Sequence, residues 1–540
     1  MKDAMFSRDF QSTVTSRLST LLVAAALLVA GFGLTACDDV GVSPTGQAAA
    51  DNIFTEDGAY RSYLAKLYAG LNVTGQQGGA GDADISGIDE GFSQYIRLWW
   101  QMQELPTDEA VIAFNDGAVQ ELNTNTWAAT NGFSSAMYSR IFFQVSQVNE
   151  FLRQSTPDNL DARNVEADVR QQMPQWRAEA RFLRALSYWH GVDLFGNIPL
   201  VEENFTIGST PPEQATREEV FNFVEEELIA ITDSEGSENL PPAGQAEYGR
   251  ADRAAAWMLL SKLYLNAEEY IGQARYQEAR QYAQRVIDAG FELEPDYQHL
   301  FLADNNTADG IIFAIPHDGQ NTQHFGGTQF LTHAAVGGEM DPAAYGIDTG
   351  YQGLRTTSAG FNLFDAADQR GIFFTQGQSL EIETLTDFQD GYAVPKYQNI
   401  TSTGTPGSNL TFPDTDYPMF RLAEAYLTYA ETTVRLEGSA DGRSVELLND
   451  LRERAGLGRD LDANDITLEF LLDERGRELF WEATRRTDLI RFGQYTGDTY
   501  VWPWKGNSQA GSSINAELAL YPLPASELRA NPNLEQNPGY

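Results

Sequence analysis

After residue 53 the apolar positions recur every three or four residues along most of the chain, which places them on one face of an α-helix. In AYRSYLAKLYAGL they fall at Tyr60, Leu64, Leu67, Tyr68 and Leu71. MYSRIFFQVSQVNEFLRQ and WRAEARFLRALSYWHGVDLFG keep the same period, and the second closes at Gly196, as a helix stop should. This spacing predicts a mostly α fold.

The helices come in pairs. In DRAAAWMLLSKLYLNAEEYIGQARYQEARQYAQRVIDAGFEL the first carries Leu260, Leu263 and Tyr264, and the second Ala279, Ala283, Val286 and Ile287 before Gly290. A bulky face against an alanine face lets two backbones approach closely, and the pair resembles a tetratricopeptide unit with a lengthened turn. RLAEAYLTYAETTVRLEG followed by SVELLNDLRERAGLG reads as a second pair.

From Phe301 to Asp416 the period is lost. This stretch is rich in Gly, Thr, Asn, Gln and aromatic residues, and IIFAIP is its only strand-like run. A stretch of that length in a compact domain is expected to bind something or to fold into small local pieces. The tail, YPLPASELRANPNLEQNPGY, is predicted to run extended over the surface, with Ser526 capping one short turn.

The first forty residues obey a different rule. Leu21 to Leu34 carry no charge, and the run falls short of the roughly 20 apolar residues of a membrane span. A signal-peptide core needs only about 7 to 15, so residues 1–36 read as an export signal. It ends in Leu34-Thr35-Ala36-Cys37, which resembles the lipobox of bacterial lipoproteins, whose cysteine thiol receives a diacylglycerol. Cys37 is the single cysteine of the chain, so the chain has no disulfide framework. The small, polar residues that follow predict a flexible tether over 37–52. Within it Asp38-Asp39 resembles the acidic signal that sends Bacteroidota-type lipoproteins to the cell surface.

Charge narrows the partners. The chain has 36 basic and 77 acidic side chains and a net charge of −41. Binding a polyanion needs a basic stripe, which excludes nucleic acid as a partner. Lys2, Lys66, Lys262, Lys396 and Lys505 are the only lysines. A polybasic membrane patch is therefore missing too, which leaves a lipid at Cys37 as the membrane contact.

Motifs of catalysis are scarce. No Gly-x-Ser-x-Gly, His-Glu-x-x-His or phosphate-loop lysine motif occurs. ERGRELFWEATRRTDLIRFG sets Glu474, Glu478 and Glu482 along one helical face and Glu482 four residues before Arg486. Glycosidases need two carboxylates facing each other across a cleft of roughly 5 to 9.5 Å, so this segment reads as structural ion pairing. DADISGID begins like a calcium loop with Asp82, Asp84 and Ser86, and Gly87 is sixth, but the twelfth residue is Ser93 where a glutamate belongs. An Asp-rich turn is preferred, a structural calcium is the alternative, and no other cofactor is expected. His317, His324 and His333 stand too far apart for a short zinc motif and read as loop histidines.

Several segments line up with one family. WRAEARFLRALSYWHGVDLFGNIPLV, RADRAAAWMLLSKLYL, RLAEAYLTYAE, LLNDLRERAGL, ERGRELFWEATRRTDLIRFG and YPLPASELRANPNLEQNPGY resemble, in order, the signatures of SusD/RagB-like lipoproteins. GDADISGIDEGFSQYIRLWWQMQELPTDEAV is similar to that family's N-terminal stretch. One departure is Ala483, where the family usually has glycine; as the better helix former, alanine is expected to be tolerated there.

The resemblance implies a SusD-like domain over 53–540, with a helical part at 53–300, a loop-rich insertion at 301–415 and a helical pair and tail at 416–540. Four tetratricopeptide-like units would carry a non-enzymatic binder, held on the outer membrane at the cell surface. Such a protein captures an oligosaccharide, or alternatively a peptide, and passes it to a SusC-type TonB-dependent transporter. The rival readings are a tetratricopeptide adaptor on the periplasmic side and a glycan-cleaving enzyme. A sugar binder lays flat aromatic faces against pyranose rings and fixes hydroxyls with a few polar groups. The candidates are Trp99, Trp100, Phe325, Tyr345, Tyr351, Trp502 and Trp504.

Overall fold

The computed structural model describes Phe54, residues 58–75, 78–79, 83–205, 208, 210–233 and 236–540. The export signal, Cys37, the tether and Asp82 lie outside the described residues.

Helices dominate the rest. They are α1 (Ala59–Asn72), α2 (Tyr95–Glu104), α3 (Gly132–Gln154), α4 (Ala167–Phe195), α5 (Arg217–Thr232), α6 (Arg253–Leu265) and α7 (Tyr276–Ile287). Further along come α8 (Gly327–Ala334), α9 (Leu422–Glu437), α10 (Gly442–Arg454), α11 (Leu468–Glu478) and α12 (Arg485–Arg491). Local chemistry sets their ends. Asn131 caps α3 by accepting from the N–H groups of Phe133 and Ser134, and Asp252 caps α6 at Ala254 and Ala255. Each supplies an acceptor to donors that the helix leaves unpaired, worth about 1 kcal/mol. Gly438, at φ +78°, ends α9.

The paired helices stack as their faces predict. α6 packs on α7, α7 on α9, and α9 on α10, while α3, α4 and α5 pack in sequence on the other part of the chain. Leu260, Leu263, Ala279, Ala283 and Val286 are fully buried in that stack. The alanine face brings the backbones close enough for Ser261 Oγ to donate to the Ala279 carbonyl at 3.1 Å. A larger side chain at Ala279 would overpack this contact at a cost of about 1–3 kcal/mol.

The long irregular stretch enters and leaves through one ladder. β1 (Ile311–Ile315) pairs antiparallel with β2 (Tyr417–Arg421), so the residues between them leave the helical stack from a shared base. Just outside this ladder Asp416 takes the His317 N–H at 2.6 Å and the Tyr248 hydroxyl at 2.6 Å. Between the strands the chain folds into short pieces, of which α8 matters most because it packs against α2.

The charged segment after α11 is corrected in two respects. The helix stops at Glu478, and Leu479 to Thr484 turn the chain before α12. Glu482 therefore does not meet Arg486: it pairs with Lys396 at 2.7 Å and Arg421 at 2.7 Å, while Arg486 faces Asp193. Ala483 lies in that turn at φ +59°, as does Trp481 at +63°. Helix propensity is irrelevant there, and the left-handed backbone explains why glycine suits the position. At the tail Pro524, not Ser526, occupies the N-cap of the short helix Ala525–Ala530.

Candidate functional site

Helix α2 holds the middle of the molecule, packed by α3, α8 and α12. All of its residues except Arg97 are buried. This decides the fate of the two adjacent tryptophans. Trp99 lies 3.9 Å from the His190 ring. Trp100 is completely buried, meets Trp481 edge-on and donates its indole N–H to the Trp481 carbonyl at 2.9 Å. Trp502 is buried as well, between Tyr495 and Tyr500, with the Lys505 ammonium 4.2 Å from its ring centre. None of the three presents an open ring face. Expectation is corrected here because a helix packed on every side leaves neither of two neighbouring positions to solvent.

Tyr345 and Trp504 are half-buried at separate places. Tyr345 packs on a cluster that includes Val336, Ile347 and Phe388. Trp504 packs on Val111, Ile382 and Leu385 and donates to the Ile382 carbonyl at 3.0 Å.

Phe325 and Tyr351 belong to one partly exposed face. Phe325 leans on Phe412 with 5.5 Å between ring centres. Gly79 sits against that pair, where a Cβ would come within 2.8 Å of Phe412. Tyr351 stacks on His333 at 4.9 Å, and its hydroxyl accepts from Gln329 at 2.7 Å. Gln329 also donates to the Thr411 carbonyl at 3.3 Å, beside Phe412, and the Thr411 hydroxyl donates to Asp348. Phe114 meets Phe330 at 6.5 Å and lies against Gly353, two residues after Tyr351.

Arg97 runs through the middle of this face. Its guanidinium lies 4.3 Å over the Phe330 ring, and Nη1 donates to the carbonyls of Gly91 at 2.8 Å and Phe325 at 2.9 Å. Its Nε is buried without a partner, and no carboxylate among the described residues forms an ion pair with it. Burial lowers its pKa to about 10, so it stays charged at neutral pH. Asp89 acts on it only through its charge, without an ion pair. Sequence reasoning missed Arg97, Phe412, Phe114 and Gln329. Arg97 left a trace, as the only lysine or arginine between Lys66 and Arg140.

Other candidates are structural. Asp84 binds Arg140 through both oxygens at 2.7 Å, so this carboxylate neutralises a buried guanidinium, and Arg140 Nε donates to the Ser93 carbonyl at 2.6 Å. Ser86 is exposed in the adjoining turn. Among the described residues no group of three or more His, Cys, Asp and Glu side chains could hold a metal ion. His317 and His324 lie in loops as expected, buried and tilted towards each other with ring centres 5.1 Å apart, whereas His333 lies within α8. Glu474 and Glu478 share Arg370 at 2.7 and 3.2 Å. Burial alone would push the Glu478 carboxyl up, but Arg454, Arg421 and Arg370 bring it down to about 2.

Comparison with known proteins agrees with this architecture. The sequence pattern of the SusD family matches residues 365–540. Starch-binding protein SusD of Bacteroides thetaiotaomicron is 34% identical, over 97% of this chain and 100% of its own length. This chain belongs to the SusD family. A SusD-like protein, P2, of Formosa agariphila is 27% identical over 94% of the chain and 97% of its own length. Among solved SusD-type structures, surface glycan-binding protein A from Bacteroides fluxus superposes with a TM-score of 0.68 at 22% identity, covering 90% of this chain and all of that one. The B. thetaiotaomicron protein of that name, in complex with laminarihexaose, gives 0.66 at 20% identity over 89% and 99%. At such identities these structures speak for the SusD fold. Among the described residues of this SusD-family chain no helix is long and apolar enough to cross a membrane.

Proposed function

We propose that this SusD-family protein is a binder and not an enzyme. It captures an oligosaccharide on the face formed by Phe325, Phe412, Tyr351 and Phe114, with Arg97 and Asp348 contacting hydroxyls and the buried Gln329 holding the Tyr351 hydroxyl from beneath. The observation that carries this reading is Arg97, partly buried among aromatic rings and held by carbonyls without an ion pair. Rings set around polar donors and acceptors are what a pyranose needs, with apolar C–H faces stacked and hydroxyls bonded. Lipid at Cys37 would hold the protein on the cell surface, where it would deliver the glycan to a SusC-type TonB-dependent transporter. Tyr345 and Trp504 would lie outside this face, and the burial of Trp99, Trp100 and Trp502 argues against direct contact.

The names of the relatives set the order of trial. Starch-binding protein SusD makes malto-oligosaccharides the first ligand, and the laminarihexaose complex makes β-glucan the second. Calorimetry with both series on the purified mature chain is expected to give saturable heats for one of them, with no reducing ends released. Release of reducing ends would replace the binder with an enzyme. Binding of a peptide pool and of no glycan would replace the ligand class. Mass spectrometry of the native N-terminus tests the anchor: a diacylglyceryl cysteine at residue 37 is expected, and protease added to intact cells should then reach the protein.

A further inference from the structure

Gln94 sits beneath the aromatic face, completely buried at the N-cap of α2. Its side chain joins three segments that are distant in sequence. The amide oxygen accepts from the Arg97 N–H at 2.7 Å and from the Gly327 N–H at 2.8 Å. The amide nitrogen donates to the carbonyls of Leu71 at 2.7 Å and Asn72 at 2.9 Å. Two accepted and two donated bonds exhaust what a primary amide can make.

Each of those partners leads towards the ring face. Leu71 and Asn72 end α1, Arg97 is in the first turn of α2, and Gly327 opens α8 two residues after Phe325. Arg97 returns to the same turn by donating to the Phe325 carbonyl. The turn is shaped to fit the amide. A Cβ on Gly326 would stand 2.2 Å from the Gln94 Cβ and 2.8 Å from its Oε1, and Gly327 takes φ +53°, which a side chain resists.

We infer that Gln94 is a positioning residue for the ligand face, fixing Arg97 and the Phe325 turn in their binding geometry before any ligand arrives. The inference rests on the reading of that face as a glycan site. A site whose groups are held in place beforehand spares the ligand the ordering cost of binding. Losing the amide releases the Gly327 N–H and the backbone of the α2 first turn that carries Arg97, so affinity falls although no contacting group has been removed.

The test uses the mature chain and whichever malto- or laminari-oligosaccharide the wild type binds. Gln94→Leu keeps the bulk and deletes all four bonds, and its affinity is expected to fall about tenfold or more. Amide hydrogen exchange over residues 323–330 should quicken in the same variant without ligand. Leu447→Ala, a core change in α10 remote from the face, controls for lost stability: it should lower the melting temperature and leave affinity unchanged. If Gln94→Leu fails to fold, Gly326→Ala presses on the amide from the other side and is expected to weaken binding in the same way. Unchanged affinity and exchange in a folded Gln94→Leu or Gly326→Ala protein would overturn the inference. Should the wild type bind no glycan, the reading of the face falls instead, and the exchange over 323–330 alone then decides whether Gln94 positions the turn.

Discussion

Trp100 donates its indole N–H to the carbonyl of Trp481, 381 residues further along the chain, and the two rings meet at 75°. The contact joins the central helix α2 to the turn between α11 and α12. It makes Trp100 a structural residue. Trp100→Phe should cost about 1–3 kcal/mol through the lost hydrogen bond and volume. Glycan affinity of the folded variant should match the wild type; a large loss of affinity with little loss of stability would return Trp100 to the ligand site.

The partly exposed rings should behave in the opposite way. Phe325→Ala, Phe412→Ala and Tyr351→Ala each remove a stacking face worth about 0.5–1.5 kcal/mol, or about two- to tenfold in affinity. Calorimetry and a thermal melt on each variant would check this, with melting temperatures expected to move by only a few degrees.

Ala483 carries strain. A left-handed backbone costs an alanine about 1–2 kcal/mol, and Ala483 sits at φ +59°. Ala483→Gly removes that strain and gives up one buried methyl, worth about 0.8 kcal/mol. The net expectation is a gain of a few tenths to about 1 kcal/mol, read as a higher urea midpoint at unchanged slope.

Glu478 accepts charge from three arginines in a completely buried setting. Glu478→Gln leaves those guanidinium groups short of a partner and should cost about 3–5 kcal/mol. The wild-type carboxyl is held down near 2. Its contribution is therefore present above the ordinary glutamate pKa and is lost as pH falls towards 2, a loss the variant should not show in acid titrations followed by circular dichroism.

The neck of the insertion sets two opposing pH slopes. Burial depresses His317 to about 4 and holds His324 well below its ordinary value, with help from His317. Unfolded histidine takes a proton near 6.5, so these residues cost stability as pH falls from 6.5 towards 4. Burial raises Asp416 to about 6, so the folded chain takes up a proton that the unfolded one does not, and stability rises as pH falls from 6 to 4. Tyr248, Asp414 and Asp318 surround this carboxyl. Asp416→Asn removes the compensating slope, and its stability should fall more steeply than that of the wild type between pH 6 and 4 in denaturant titrations.

The helical pairs, their apolar faces and the break after Phe301 were legible in the sequence because a helix face depends on neighbours three or four residues away. The charge balance and the scarcity of catalytic motifs were legible for the same reason, since each is a local or additive property. The ladder between β1 and β2, the turn at Trp481 and Ala483 and the burial of Trp99 and Trp100 were decided by contacts between residues far apart in sequence. So was the face proposed for the ligand: Phe114, Arg97, Phe325, Tyr351 and Phe412 carry no shared spacing. Only the packing of α8 on α2 turns five scattered side chains into one surface, because the position of a ring is fixed by what lies beneath it and not by the residues beside it in the chain.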